Sequence, residues 1–392
     1  MESFKSELHQ ELLNNILPYW MQKMPDDANG GFLGRIDGRE KVHHSAGKGA
    51  VLNARILWTF SAAYRLERKQ EYLTMAERAF LYLQNYFTDK KHGGIFWELD
   101  YKGRPLNPKK QIYAQGFAIY GYSEFYRATG NPDALEAAKN LFYLIEKYAY
   151  DPEHGGYIEA LDENWQIIDD MRLSAKDGNA PKTMNTHLHI LEPYTNLLRV
   201  WKDPALISAQ TQLIRLFCDR IVDARTKHLG LFFDWEWNAQ DGGISYGHDI
   251  EAAWLLYEAA EVLGDPECIE KVKKLSVEIV NASLEGLQPD GSMIYEQTQD
   301  GHTDRDRHWW VQAETITGSY YAWMITEDKK YLSIAENCWD YVKRRLIDKI
   351  NGEWFWSVCA DGTPNRKDDK AGFWKCPYHN SRMCMEIFYS NK

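Results

Sequence analysis

The sequence lacks the marks of several large protein classes. No apolar run approaches the roughly 20 residues that a membrane-spanning helix needs. The opening stretch MESFKSELHQELLNNILPYW is not a secretion signal, because charges interrupt any apolar core. Its Phe4, Leu8, Leu12, Ile16 and Tyr19 instead recur at helical spacing and predict an amphipathic helix. Positive charge is in the minority, 46 basic against 57 acidic residues for a net −11, and no basic block offers a phosphate-binding face. Nucleic acid is therefore not the expected partner. The six cysteines (Cys218, Cys268, Cys338, Cys359, Cys376 and Cys384) form no C-x-x-C pair and no regular spacing, which fits buried thiols of a cytoplasmic protein. Neither a P-loop nor a dinucleotide-binding glycine fingerprint is found. No linker divides the 392 residues, so they are expected to form one domain, 1–392.

Aromatic residues, by contrast, are plentiful: 15 Trp and 24 Tyr. Several lie in loop-like stretches beside polar residues, where flat rings suit the C–H faces of sugars. A second abundance is internal repetition. A Gly-rich turn entering an aromatic, strand-like run appears as NGGFLGRID (29–37), HGGIFWELD (92–100) and HGGYIEALD (154–162). It recurs more loosely as HLGLFFDWE (228–236), PDGSMIYEQ (289–297) and NGEWFWSVC (351–359). The period is roughly 60–75 residues, the sign of a repeat architecture.

Two helices fit between consecutive copies. The second of each pair shows three–four spacing, as in Leu73, Ala76, Phe80, Leu83 and Phe87, or Leu135, Ala138, Phe142 and Ile145. ATGNPD (128–133) and VLGDPE (262–267) read as the turns within pairs, with Gly ending one helix and Asn-Pro or Asp-Pro opening the next. One helix precedes the first Gly-rich turn and one follows the last. The final stretch SRMCMEIFY is too apolar to cap an open solenoid. The predicted fold is all-α: an (α/α)6 barrel of twelve helices, closed by those two orphans, with short β-hairpins at one rim.

The first helix of each pair would then line the interior and begin at the hairpin rim. The six starts supply Arg55; Tyr113 and Gln115; Asn185, His187 and His189; Tyr246, His248, Asp249 and Glu251; Trp309, Trp310, Gln312 and Glu314; and Trp374 with His379. Aromatic walls with a few convergent polar groups describe a small-molecule site. His189, His248 and His379 read as repeat-equivalent. Glu251 is either a catalytic acid or, by preference, a partner that fixes the His248 tautomer. Asp177, in the loop SAKDGNAPKTMN, reads equally as a turn residue or a sugar ligand. The HLH of 187–189 does not suggest a metal site, because residues i and i+2 diverge on a helix. The paired histidines of KVHHSAG (41–47) read as surface residues.

GHDIEAAWLL, NTHLHILE, WWVQAE and WKCPYHNSR together resemble the N-acylglucosamine 2-epimerase superfamily, and within it the cellobiose 2-epimerase family, over essentially the whole chain. The resemblance implies exchange of a reducing-end glucose and mannose in β-1,4-linked disaccharides such as cellobiose, lactose or mannobiose. The sugar ring opens, a histidine removes the C2 proton, and a cis-enediolate is reprotonated from the other face. It casts His248 and His379 as the acid/base pair and His189 as the third histidine. Arg55, Tyr113 and Asn185 become the enediolate donors, Trp310 and Trp374 the stacking platforms, and Asp177 and Glu314 hydroxyl ligands. No cofactor and no metal are implied, since the aldehyde itself acidifies the C–H, and a monomer is expected. Three rivals remain: a monosaccharide 2-epimerase or mannose isomerase, an inverting (α/α)6 glycosidase using Glu251 and Glu314, and a non-catalytic sugar-binding module.

Overall fold

The computed structural model describes residues 1–240 and 242–390. Helix α1 (Glu2–Glu11) runs through a π-turn at Leu12–Ile16 into α2 (Leu17–Lys23), forming one continuous outer helix. Five helix pairs follow: α3 (Ala50–Glu67) with α4 (Gln70–Tyr82), α5 (Ile112–Thr129) with α6 (Pro132–Tyr148), α7 (Met184–Leu198) with α8 (Pro204–Leu216), α9 (Tyr246–Leu263) with α10 (Pro266–Ser283), and α11 (Trp309–Thr326) with α12 (Lys329–Tyr341). The chain ends on α13 (Tyr378–Phe388). Counting α1 and α2 as one, these are the twelve helices of an (α/α)6 barrel.

Inner and outer helices differ as their sequences do. Every residue of α3 from Ala50 to Ala63 is buried, as a helix packed on all sides requires. On α6 only one stripe is buried: Ala134, Ala138, Leu141, Phe142 and Ile145. The turns match their sequence signals. Gly130 and Gly264 end α5 and α9 in the left-handed conformation, and the side chains of Asn131 and Asp265 cap the helices that follow. Close packing of the inner ring depends on Gly116 of α5, where a Cβ would lie 2.3 Å from the carbonyl oxygen of His189 on α7.

The ring closes twice. Each inner helix packs on the next in the order α3, α5, α7, α9, α11, α13, and α13 returns to α3 while α1 packs on α13. At the rim, the two-residue strand before an inner helix pairs with the strand after the next Gly-rich turn. Examples are Lys110–Gln111 with Ala160–Leu161 and Lys182–Thr183 with Phe232–Phe233. A bridge between Ile36 and Ala371 joins the first copy to the segment that leads into α13.

Buried ion pairs anchor four of the Gly-rich turns. Asp26, Asp89, Asp151 and Asp348 accept backbone N–H bonds within their turns, and each also pairs with a lysine before an inner helix: Lys48, Lys110, Lys182 and Lys370, at 2.6–2.8 Å. Removing one partner of such a pair typically costs about 3–5 kcal/mol. Among the described residues, no helix is long and apolar enough to cross a membrane.

Candidate functional site

Counting from the first residue of each inner helix separates two kinds of polar side chain. In α3, α5, α7, α9 and α11 the sixth position holds Arg55, the apolar Phe117, His189, Glu251 and Glu314, which face the barrel axis. The fourth holds Asn53, Gln115, His187, Asp249 and Gln312, and four of these grip the rim. Gln115 bonds both the N–H and the carbonyl of Ile95, and Gln312 does the same to Met293. His187 Nε2 accepts from the Tyr157 N–H, and Asp249 from the Leu229 N–H. These residues support the hairpins and do not line the site, because two residues along a helix turn a side chain about 200° away. The same register corrects the equivalence of the three histidines: His189 is sixth in α7, His248 third in α9, and His379 second in α13.

The floor of the site is an ionic cluster around Arg382 of α13. Its Nη2 donates to Glu251 Oε1 (2.8 Å) and Glu314 Oε1 (2.7 Å), and its Nη1 to Glu192 Oε2 (2.6 Å). The guanidinium lies over the rings of Trp254 and Tyr378, 4.6 and 4.2 Å from their centroids. Glu314 also accepts from Trp254 Nε1 (2.9 Å) and meets His379 Nδ1 at 2.6 Å. Glu192 accepts from the Tyr378 hydroxyl and meets His189 Nδ1 at 2.7 Å.

One guanidinium cannot balance three charged carboxylates, and they separate accordingly. Burial opposes charge on Glu314, but Arg382 and His379 outweigh it and hold Glu314 down at about 2. Burial and then the neighbouring Glu314 push Glu251 well above its usual range, and burial also raises Glu192. Burial lowers His379 to about 3 even though Glu314 favours its charged form.

His248 stands nearer the rim, half-buried, with Nδ1 2.7 Å from the Ser245 hydroxyl. Burial, followed by repulsion from His189, brings it too to about 3. Glu251 does not support its tautomer. That carboxyl lies one turn deeper, where it is bound by Arg382, and Ser245 takes the expected place. The Trp310 ring lies 4.7 Å from His248 and 5.7 Å from His379, so one indole touches both imidazoles. Arg55 donates to the Tyr113 hydroxyl at 2.8 Å and lies 4.2 Å from the Phe117 ring. Trp374, half-buried, packs edge-on to Tyr113 at 5.9 Å. Asn185, at the second position of α7, is half-buried. Asp177 accepts from the Ser174 N–H and hydroxyl through Oδ2, at 2.8 and 2.6 Å, and so holds its own turn.

Among the described residues, three buried polar atoms around this space find no partner: Arg55 Nε, Asn185 Oδ1 and Glu251 Oε2. Buried polar atoms are normally paired, so these three suit a polar ligand. Glu251, Glu314 and His379 bring ligand atoms within 4.8 Å of one another, a spacing that suits a metal ion. Arg382 already donates to both carboxylates, however, and its fixed positive charge opposes a cation. The sequence reading missed Arg382, Glu192, Trp254, Tyr378 and Ser245 as site residues. Helical spacing holds the signal: Glu192 is three residues after His189, Trp254 three after Glu251, and Arg382 three after His379.

The family model of N-acylglucosamine 2-epimerase (GlcNAc 2-epimerase) matches residues 31–382. The chain belongs to this family. It is 56% identical over 387 residues to a cellobiose 2-epimerase of Bacteroides fragilis, covering 98% of this chain and 99% of that protein. The structure of a cellobiose 2-epimerase from Bacillus thermoamylovorans superposes with a TM-score of 0.95 at 43% identity, covering 99% of both chains. A D-mannose isomerase structure reaches a TM-score of 0.86 at 19% identity over 97% of both chains, a likeness of fold alone.

Proposed function

We propose that this chain is a carbohydrate 2-epimerase that interconverts reducing-end glucose and mannose in β-1,4-linked disaccharides, without a cofactor. The observation that carries the reading is the pair of imidazoles, His248 and His379, that both pack against Trp310. The near full-length likeness to a cellobiose 2-epimerase supports disaccharides over free mannose, since a D-mannose isomerase of Marinomonas mediterranea is only 22% identical. A cytoplasmic monomer belongs to the same reading, and the free thiols of all six cysteines fit a reducing compartment.

In this reading the open-chain sugar presents C2 between the imidazoles. One takes the C2 proton, and the electron pair moves into the aldehyde carbonyl to give an enediolate. The guanidinium of Arg55, the Tyr113 hydroxyl and the Asn185 side chain stabilise its oxygens. The other imidazole returns a proton to the opposite face, so the two enter the step in opposite protonation states. His189 holds the open chain, Trp374 stacks on a ring with Trp310 beside it, and Glu251 serves a hydroxyl; Asp177 is engaged in its own turn, and Glu314, with both oxygens occupied, backs His379. Burial and then Glu314 oppose charge on Glu251, and its unpaired oxygen is open to a sugar hydroxyl. An inverting glycosidase needs carboxyls roughly 6.5–9.5 Å apart to admit water. Glu251 and Glu314 approach within 4.8 Å and share Arg382, which speaks against that rival.

The test is incubation with cellobiose in D2O. An intact disaccharide with a reducing-end mannose carrying deuterium at C2 is the expected product. Cleavage to glucose, a ketose as sole product, or epimerisation without solvent deuterium would each overturn the reading.

A further inference from the structure

The hydrogen bonds around Arg382 constrain a proton that the proposed reaction needs. Arginine and the indole N–H of tryptophan can only donate. Glu314 Oε1 therefore accepts from Arg382, and Oε2 accepts from Trp254. Its remaining close neighbour is His379 Nδ1, 2.6 Å from Oε1. With both oxygens already accepting and a guanidinium in contact, Glu314 is the carboxylate of the cluster that stays ionised. An ionised carboxylate can only accept, so the proton on that side of the imidazole sits on Nδ1. Glu192 also has three partners, but the obligate donor Arg382 and the Tyr378 hydroxyl both reach its Oε2 and only His189 Nδ1 meets its Oε1, while Glu251 is bound by Arg382 through one oxygen.

We propose that Arg382 is a positioning residue for the epimerisation: by keeping Glu314 an acceptor, it holds His379 with its proton on Nδ1 and leaves Nε2 bare to take the substrate proton and, once protonated as the imidazolium, to return it. Arg382 acts through Glu314. Three features suit it to the task. Its planar fork reaches three carboxyls at once, which a lysine ammonium cannot reproduce. The rings of Trp254 and Tyr378 both pack against it. Its side chain is 1% exposed, so water does not weaken the contact. His248 has no such lock, because the serine hydroxyl beside it can donate or accept. The proposal rests on the epimerase reading for its kinetic consequence, but not for the tautomer itself.

The experiment uses the whole protein with 15N-labelled histidine, with the His379 signals assigned by comparison with His379→Asn. In the ligand-free wild type at neutral pH, His379 is expected to show a protonated Nδ1 and a bare Nε2. Arg382→Lys should populate the other tautomer and lower kcat on cellobiose on the order of 10–100-fold, as loss of an orienting partner does, while KM shifts by less than about threefold. Arg382→Met is expected to do both more completely. A wild-type His379 protonated on Nε2 would overturn the proposal, as would a folded Arg382→Lys that keeps both the tautomer and kcat. If both variants unfold, the wild-type tautomer alone decides. A wild type that leaves cellobiose unchanged would defeat the epimerase reading and leave the tautomer measurement standing.

Discussion

The two imidazoles beside Trp310 have comparable surroundings in one respect and opposite surroundings in another. Burial lowers both His248 and His379 to about 3. Beneath His379, however, lies an ionised carboxylate backed by a buried arginine, whereas beside His248 lies a neutral hydroxyl. The carboxylate fixes one tautomer and favours the imidazolium against burial. The hydroxyl fixes nothing, and it leaves His248 free to exchange its Nδ1 proton by a simple rotation. A reaction that must run in both directions through one intermediate can use such a difference, with one rigid proton carrier and one adaptable carrier. Position in the fold produces it. His379 lies within reach of Glu314 on α11, and His248 stands beside Ser245 of the strand that precedes α9.

The sharpest way to break the comparison is to remove each imidazole. His248→Asn and His379→Asn should each slow epimerisation on the order of 10²–10⁴-fold. Each should still be able to exchange C2 deuterium into one epimer, because one base suffices for exchange but not for inversion. Mass spectrometry of recovered cellobiose and its epimer distinguishes the two variants, and identical labelling of both epimers by both variants would erase the distinction between the histidines. A smaller effect comes from the partners. Glu314→Gln should lower kcat on the order of 10–100-fold, and Ser245→Ala by no more than about threefold. Equal losses in the two would mean that the carboxylate has no special role.

The smallest effect is on stability. An unfolded histidine titrates near 6.5, whereas in the ligand-free fold His248 and His379 stay neutral to about 3, and His187, lowered mainly by burial, to about 4. Their contribution to stability is complete above pH 6.5. Below that the unfolded chain binds protons that the folded chain does not, so stability is lost as pH falls towards 3–4. The slope is at most about 1.4 kcal/mol per pH unit for each histidine. Urea unfolding at pH 7 and pH 5 should show this loss, and His379→Asn should make it shallower. An unchanged slope in that variant would place the His379 titration elsewhere.

The sequence alone determined the architecture, because its causes are local and repeated. The Gly-rich turns, the helix-ending glycines with Asn or Asp caps, and the apolar stripes of the outer helices are each written within a few residues. Two unpaired terminal helices then left closure as the economical arrangement. The polar residues at the inner helix starts were legible as a group for the same reason. What each of them faces was not legible. His187 and His189 are two residues apart, yet one holds the rim strand and the other the floor, because only the neighbouring helices define which side of α7 is inside. The Arg382 cluster draws its members from α7, α9, α11 and α13, over as many as 190 residues of sequence. No spacing rule connects such distant positions. A guanidinium in contact with three buried carboxyls exists only once the ring has closed, and only the tertiary structure could decide which of those carboxyls keeps its charge.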